Sequence, residues 1–240
     1  MLFQGYYSNV NTDSAYLDQA NRATYKGVTI KSIILLAIVV ATALLTGIFL
    51  PTLINQNGFY YTLVTAVIVG SIAALLGRFI PSIAMPCSFI YSFSEGLVLG
   101  TITAIVNAFY PTAGTLAVSA TLVIFTIMLV LYAFGFIRNG SLIRMILFGL
   151  LFAILGLSVL NLVFYLISGA AFVITYILIE VAELIYGVVM LAFMFYQAEV
   201  VVKLGAPKEV EWSVALGIQV ALIYIYIYML RVMALISRRS

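Results

Sequence analysis

The sequence predicts an all-α integral membrane protein in which six transmembrane helices surround a central C-terminal seventh helix. The 240-residue chain is 65% hydrophobic and 8% charged, whereas soluble domains carry roughly 25% charged residues. Its apolar runs are too long for β-strands and, at about 20 residues per span, they use nearly the whole chain. The last run, residues 213–236, is long enough to cross a bilayer but carries a polar stripe, which favours a position inside the bundle.

The apolar runs and their breaks define each element in order. Residues 1–28 predict a polar cytoplasmic N-terminal tail with a short amphipathic helix near 13–25, and the start MLFQG resembles the remnant of a cleaved tag over residues 1–5. Residues 29–240 predict one transmembrane domain, with the long charged connection 199–212 before its last span. The seven spans are expected over residues 28–50, 60–76, 83–109, 115–137, 142–165, 172–198 and 213–236.

Lysine and arginine residues orient the bundle. They precede the first span and occupy the connections between spans two and three, four and five, and six and seven, whereas residues 51–59, 108–114 and 166–171 contain none. This asymmetry predicts a cytoplasmic N-terminus and a location in the plasma or inner membrane. Arg238 and Arg239 disagree with it, because seven spans place them outside, but the last run is amply long for a seventh span.

The polar stripe of the last run consists of Tyr224, Tyr228 and Arg231, which share one helix face at i, i+4 and i+7. A guanidinium inside an apolar segment is costly unless it finds a partner or reaches the interface. An aromatic belt with Arg231 as an interfacial anchor is the alternative, but Tyr224 lies too deep for it. We expect Arg231, and also Arg78 at the end of span two, to lie near an acid, a carbonyl or the cytoplasmic interface. The candidate acids are Glu199, Glu209 and Glu211.

The polar residues present exclude several functions. The chain has no histidine, and both aspartates lie in the tail, so a Ser–His hydrolase, an HExxH zinc enzyme and an intramembrane aspartyl protease are excluded. Cys87 is the sole cysteine, which excludes an internal disulfide. The basic residues lie at span ends and form no cluster for nucleic acid. We therefore expect a protein of the lipid bilayer that is not an enzyme and has no cofactor or certain metal site; the oligomeric state is open.

Three acids inside the spans are candidates for an ion pathway or for pH sensing. Glu95 in span three lies beside a ridge of small residues, and it fits a functional carboxyl as well as a proton-bearing or Arg-paired packing residue. Glu180 and Glu183 are i, i+3 neighbours in the outer half of span six, so one of them should hold a proton near neutral pH. They offer oxygen ligands to a cation, although a solvated outer mouth without specific binding explains them slightly better. The ridge comprises Ser92, Gly96, Gly100 and Ala104.

Four stretches resemble the Bax inhibitor-1/YccA family, in particular its bacterial seven-span subgroup. They are ATYKGVTIKSIILL at the start of span one, SFIYSFSEGLVLGTITAI in span three, GAPKEVEW before span seven and IYMLRVMALI at its end. The resemblance covers about residues 23–240. It implies six helices around a central seventh and a pH-sensitive calcium-leak channel, and some members are linked to stress or cell-death control or to regulation of a membrane protease.

The resemblance also implies a gate of paired carboxylates, one on span six and one on span seven, with a span-two arginine nearby. Arg78 matches that arginine, but the carboxylate positions fall at Met194, with Tyr196 as the next acid position, and at Tyr228. The paired-carboxylate switch is therefore missing in this chain. A contact between Tyr196 and Tyr228 is the candidate replacement for the closure.

Two functions from different classes are open. The first is a cation channel of calcium-leak type with an altered pH switch, for which calcium is the candidate transported ion. The second is a non-conducting regulator of a membrane protease or stress-response complex, with a membrane protein as its partner. The resemblance favours the first, and the missing carboxylates favour the second. Any flux is expected to depend weakly on pH or to be controlled through Glu95.

Overall fold

The computed structural model describes residues 22–53, 56–134, 140–169 and 173–237. In these residues the chain forms seven long helices and no β-strand, and a short 3-10 turn, Pro81–Ile83, precedes the third helix. The helices are α1 (Tyr25–Leu53), α2 (Gln56–Phe79), α3 (Ala84–Phe109), α4 (Ala113–Ala133), α5 (Gly140–Ser168), α6 (Val173–Lys203) and α7 (Val210–Ser237). Each is long and apolar enough to cross a membrane, which confirms the predicted seven-span fold. Most of the predicted tail and its helix, and also Arg238 and Arg239, lie outside the described residues.

Six of the seven helices extend beyond their predicted spans at one end or both. α1 begins at Tyr25, α6 continues to Lys203, and α7 begins at Val210. The predicted spans were ended at charged residues. A helix is able to continue through such residues beyond the apolar region, as the i, i+4 ion pair of Glu199 with Lys203 illustrates. The predicted connection 199–212 is therefore helical at both ends, and only residues 204–209 join α6 to α7.

α7 occupies the centre of the bundle over its first half. Residues 213–219 are all buried, and α1, α2, α3, α4 and α6 all pack against this helix. The second half is less enclosed, and the side chain of Arg231 is 52% exposed. The predicted central position is thus confirmed for the first half, whereas the C-terminal end of α7 emerges at the bundle surface.

The small-residue ridge brings α1 and α3 into close contact. A Cβ on Gly100 would overlap the carbonyl oxygen of Ala43 on α1, and Gly96 lies similarly close to α1. Because glycine has no Cβ, the two backbones approach more closely there than larger residues would allow. Ser92 of the ridge instead faces α7, where it meets Gln219. The ridge therefore fixes α3 between α1 and α7.

α5 lies at the periphery and packs chiefly against α6. Most of its side chains are exposed, including Phe152, Leu166 and Ile167. In a bilayer such an apolar surface faces lipid chains, so its exposure is compatible with a stable fold. Five helices thus pack directly on α7, and α5 joins them mainly through α6.

The two ends of the bundle are named here by one residue each. The Lys31 end holds the starts of α1 and α7 and the ends of α2 and α6, and the Arg231 end holds the start of α6 and the end of α7. Lys31 and Arg231 each form an ion pair at their own end, with Glu211 and Glu180 respectively.

Candidate functional site

The antiparallel contact between α6 and α7 places the predicted site residues. The facing pairs, in order from the Arg231 end, are Glu180 with Arg231, Glu183 with Tyr228, Gly187 with Tyr224, and Met194 with Gly217. Each step along α6 is matched by an equal step back along α7, and each residue advances the helix by about 1.5 Å. The register therefore assigns every candidate a height within the bundle.

An acid–arginine cluster lies at the Arg231 end. Glu180 is only 3% exposed, and its Oε1 lies 3.6 Å from Arg231 Nη1. The guanidinium also lies over the Tyr228 ring, 5.0 Å from the ring centroid, and a side-chain hydrogen bond joins Tyr228 to Glu183. These four side chains, which we call the outer cluster, bring both candidate acids of α6 against the polar face of α7.

Tyrosines surround the outer cluster. The rings of Tyr224 and Tyr228 lie 4.5 Å apart, and the Tyr186 ring lies 5.7 Å from Tyr224. Tyr176 makes a side-chain hydrogen bond with Glu180. The predicted stripe on α7 therefore packs against acids and tyrosines of α6, so it is more than a belt of rings at the membrane surface.

The three acids predicted as partners of Arg231 lie elsewhere. Glu199 pairs with Lys203 on the same helix, Glu211 pairs with Lys31, and Glu209 is exposed in the connection before α7. The prediction that Arg231 lies near an acid is confirmed by Glu180, but the three candidates named for that acid are wrong. All three lie at the Lys31 end, and Glu211 is about 30 Å from Arg231 along α7.

The predicted gate positions do not meet at one contact. Met194 is buried against α7, and the ring of Tyr196 covers Gly140 at the start of α5. Tyr228 instead lies against Glu183, and the distance along α6 from Glu183 to Met194 is about 16 Å. The predicted closure by a Tyr196–Tyr228 contact is therefore wrong, because the two rings lie at different heights and Tyr196 faces α5.

Arg78 lies beside the Met194 part of the contact. Its Nη1 donates a hydrogen bond to the Ser213 carbonyl at 3.3 Å, and the Ser213 hydroxyl donates to the Arg78 carbonyl at 3.2 Å. The guanidinium and the Met194 sulfur both lie next to Gly217. The carbonyl partner expected for Arg78 is present, and Met194 beside it stands where the resemblance implies the acid of span six.

Glu95 lies away from the α6–α7 contact. It is partly buried on α3, and its Oε1 faces Gly70 of α2. No ion pair of Glu95 occurs within the described residues, so the Arg-paired interpretation finds no support there. A groove of about 400 Å³ opens between the same two helices and is lined in part by Thr65 and Ser94. The structure thus separates Glu95 from the outer cluster.

A buried hydrogen-bonded row in the middle of α7 was not predicted. Gln219 Nε2 donates to the Ser92 hydroxyl at 2.9 Å, and that hydroxyl donates to the Ser88 carbonyl. Two turns further along α7, the Tyr226 hydroxyl lies 2.7 Å from Thr103 Oγ1. Gln219 interrupts an apolar run, which is the one sequence signal for this row. This row faces α3, on the side of α7 opposite the outer cluster, so the two polar groups are separate.

A buried ion pair at the Lys31 end also escaped prediction. Glu211 has no exposed surface, and its Oε2 lies 2.7 Å from Lys31 Nζ. The Thr24 backbone N–H donates to Glu211 Oε1 at 2.7 Å, a Cβ on Gly27 would overlap this carboxylate, and Lys31 lies 4.8 Å from the centre of the Trp212 ring. We call Thr24, Lys31 and Glu211 the N-terminal latch. Lys31 and Glu211 belong to two stretches that carry the family resemblance, but nothing in a single sequence pairs them.

Six apolar helices together with a polar-striped α7 define the class: the protein is a multi-pass integral membrane protein. A family model described as Bax inhibitor 1 like matches residues 6–238. The chain therefore belongs to the Bax inhibitor-1-like family, which confirms the resemblance carried by its four stretches. Searches of curated proteins and of solved structures each returned no match.

Proposed function

We propose that the protein is a cation leak channel of the cell membrane, with calcium as its transported ion. The observation that carries this proposal is the outer cluster, in which two acids of α6 lie against the central helix. Ionisable side chains inside a membrane are expensive and usually mark an ion path. Gln219 and Tyr226 add a second set of polar side chains, which face α3 on the opposite side of α7.

The described conformation fits a closed channel. Leu216 and Ile225 on α7 have no exposed surface, so an ion that follows this helix requires these side chains and their neighbours to move. Packed interiors resist such movement, because few voids are larger than a water molecule. We therefore expect a slow leak and not a fast conductance.

The distribution of Lys and Arg supports the orientation of the channel. The connections at the Lys31 end carry the basic residues, and those at the opposite end carry none between the first six spans. We therefore propose that the Lys31 end is cytoplasmic and that the outer cluster lies on the far side. Calcium would then meet Glu180 and Glu183 before it reaches the middle of the bundle.

We propose that Glu180 and Glu183 control the rate of the leak. Met194 and Tyr228 provide no carboxylate at the family positions, and Glu95 lies at a different contact. Glu180 and Glu183 adjoin the polar face of α7, so they are stronger candidates than Glu95 for the groups on which flux depends.

Calcium flux into dye-loaded liposomes tests the proposal. Purified protein should raise calcium entry above that of empty liposomes between pH 5 and 8. Glu183→Gln should change this flux and its pH dependence, whereas Glu95→Gln, the matched removal of one carboxylate charge at α2–α3, should leave both unchanged. A change with Glu95→Gln alone would move the control to the α2–α3 contact.

The second candidate is a non-conducting regulator of a membrane protease or stress-response complex. It is favoured by the contact around Met194, where Gly217 and Arg78 pack without an acid. Absence of flux from folded wild-type protein at every pH from 5 to 8 would favour this candidate over the channel.

A further inference from the structure

The outer cluster holds a buried carboxylate that its arginine satisfies incompletely. Glu180 is 3% exposed, and its Oε2 has no hydrogen-bond partner among the described residues. Oε1 lies 3.6 Å from Arg231 Nη1, whereas a strong charge-assisted N–H···O bond measures about 2.7–2.9 Å. Tyr176 provides the other polar contact of this carboxyl, so only Oε2 lacks a donor. A buried carboxylate oxygen without a donor is costly, so this oxygen favours a closely bound positive charge.

Arg231 is loosely held as the positive charge of this site. Its side chain is 52% exposed, and its second contact is the face of the Tyr228 ring at 5.0 Å. A long, half-exposed side chain about two turns from the end of α7 is able to reorient toward the membrane interface. The guanidinium therefore occupies a position that a free cation is able to take.

We propose that Glu180 and Glu183 form a binding site for a hard divalent cation of the calcium type, and that Arg231 competes with this cation as a tethered positive charge. The ligands would be the free oxygen of Glu180, the Glu183 carboxylate and the Tyr228 hydroxyl, with water completing the shell. Oxygen ligands of this kind suit calcium, which takes six to eight of them. No group of three or more acid, His or Cys side chains that could hold a metal occurs in the described residues, so the affinity should be low, as a permeating ion requires.

The inference deepens the proposed leak, since it names the first site that an entering ion would occupy. Binding is nevertheless measurable in protein that conducts nothing. Terbium serves as the probe, because it replaces calcium at oxygen sites and emits light when a nearby tyrosine is excited. The proposed site is surrounded by tyrosines that can sensitise terbium, namely Tyr176, Tyr224 and Tyr228. Trp212 lies at the opposite end of α7, so terbium emission sensitised by Trp212 would not depend on Glu180.

The experiment titrates full-length protein in detergent with terbium and then displaces the terbium with calcium. Glu180→Gln should weaken terbium binding by about tenfold or more, because it removes one of the two anionic ligands. Arg231→Gln should strengthen binding by about tenfold, since the competing charge is gone, and Arg231→Lys should resemble wild type. Glu209→Gln, which removes an exposed acid at the Lys31 end, is the matched control and should change nothing.

Several results would overturn the site. One is terbium emission that does not fall when calcium is added. Another is an equal loss of terbium binding in Glu180→Gln and Glu209→Gln. The third is an unchanged affinity for terbium in folded Arg231→Gln. If Arg231→Gln does not fold, as judged by the reaction of buried Cys87 with a thiol dye, the two glutamate variants and Arg231→Lys decide alone. Calcium flux without terbium binding would reject the site and keep the leak, whereas binding without flux would keep the site and reject the leak.

Discussion

Removal of one partner of the N-terminal latch should destabilise the fold strongly. Glu211 is fully buried, and the Lys31 side chain is 13% exposed, so Lys31→Met leaves a buried carboxylate whose remaining donor residue is Thr24. Breaking a buried ion pair from one side costs about 3–5 kcal/mol. We expect the upper part of this range for Lys31→Met. Glu211→Gln should cost about 3 kcal/mol, because the remaining charge on Lys31 is able to reach solvent.

The double variant Lys31→Met with Glu211→Gln should be more stable than either single variant. Both buried charges are then absent, and replacement of a buried pair by neutral groups is often close to neutral. We expect a loss of about 1–2 kcal/mol relative to wild type, with a large favourable coupling between the two substitutions. At roughly 2–4 °C per kcal/mol for a chain of this size, Lys31→Met should lower the melting temperature by roughly 10–20 °C.

Cys87 provides the assay for these variants. It is the sole cysteine of the chain and is 7% exposed, so a maleimide dye that fluoresces on reaction with a thiol reports unfolding during a temperature ramp. Lys203→Met is the matched control: it removes a lysine from an i, i+4 pair with Glu199 in which the lysine is 68% exposed, and it should cost at most about 1 kcal/mol. The reasoning would be refuted if Lys31→Met and Lys203→Met had the same melting temperature. It would also be refuted if the double variant were as unstable as Lys31→Met.

Three further predictions concern other contacts of the bundle. Gly100→Ala should cost about 3 kcal/mol because α1 must move away, whereas Gly149→Ala, where a Cβ meets nothing within 4 Å, should be neutral or mildly stabilising; equal melting temperatures of the two variants would contradict this. Gln219→Leu should cost about 1–2 kcal/mol through its lost hydrogen bonds, and a higher melting temperature would show that the buried row is dispensable. Met194→Asp should introduce pH-dependent calcium flux without a second acid, because it lies close to Arg78; an unchanged pH profile in liposomes would argue against a gate at this position.

Much of the fold was predictable because lipid restricts the alternatives. Every backbone N–H and C=O in a bilayer must be paired, so a long apolar run is a helix, and all seven predicted spans correspond to helices. Helix ends were less predictable at the Lys31 end. There Glu199 and Glu211 mark the edge of the apolar run, but they lie inside α6 and α7.

The site was predictable only within a single helix. The spacing of Tyr224, Tyr228 and Arg231 places them on one face, and the same reasoning makes Glu180 and Glu183 neighbours. Which acid meets which cation depends on the register between helices, which packing sets and which no single sequence displays.

Gly187 shows how packing sets that register. A Cβ at Gly187 would lie 2.8 Å from the Tyr224 ring, so this position lets the ring lie directly against α6. With the Tyr224 ring packed against Gly187, the antiparallel register places Arg231 opposite Glu180 near one end of the contact. The same register places Gly217 opposite Met194 near the other end of the contact.

The register also separates two roles that the family resemblance joins in one gate. The arginine of the gate, Arg78, remains next to Met194, whereas the acids of the outer cluster lie further along α6, Glu183 at about 16 Å and Glu180 at about 21 Å. Because Coulomb energy falls with distance, protonation at the outer cluster should act mainly on Arg231, 3.6 Å from Glu180, and much less on Arg78. A channel built in this way would regulate the entry of an ion separately from the closure around Met194.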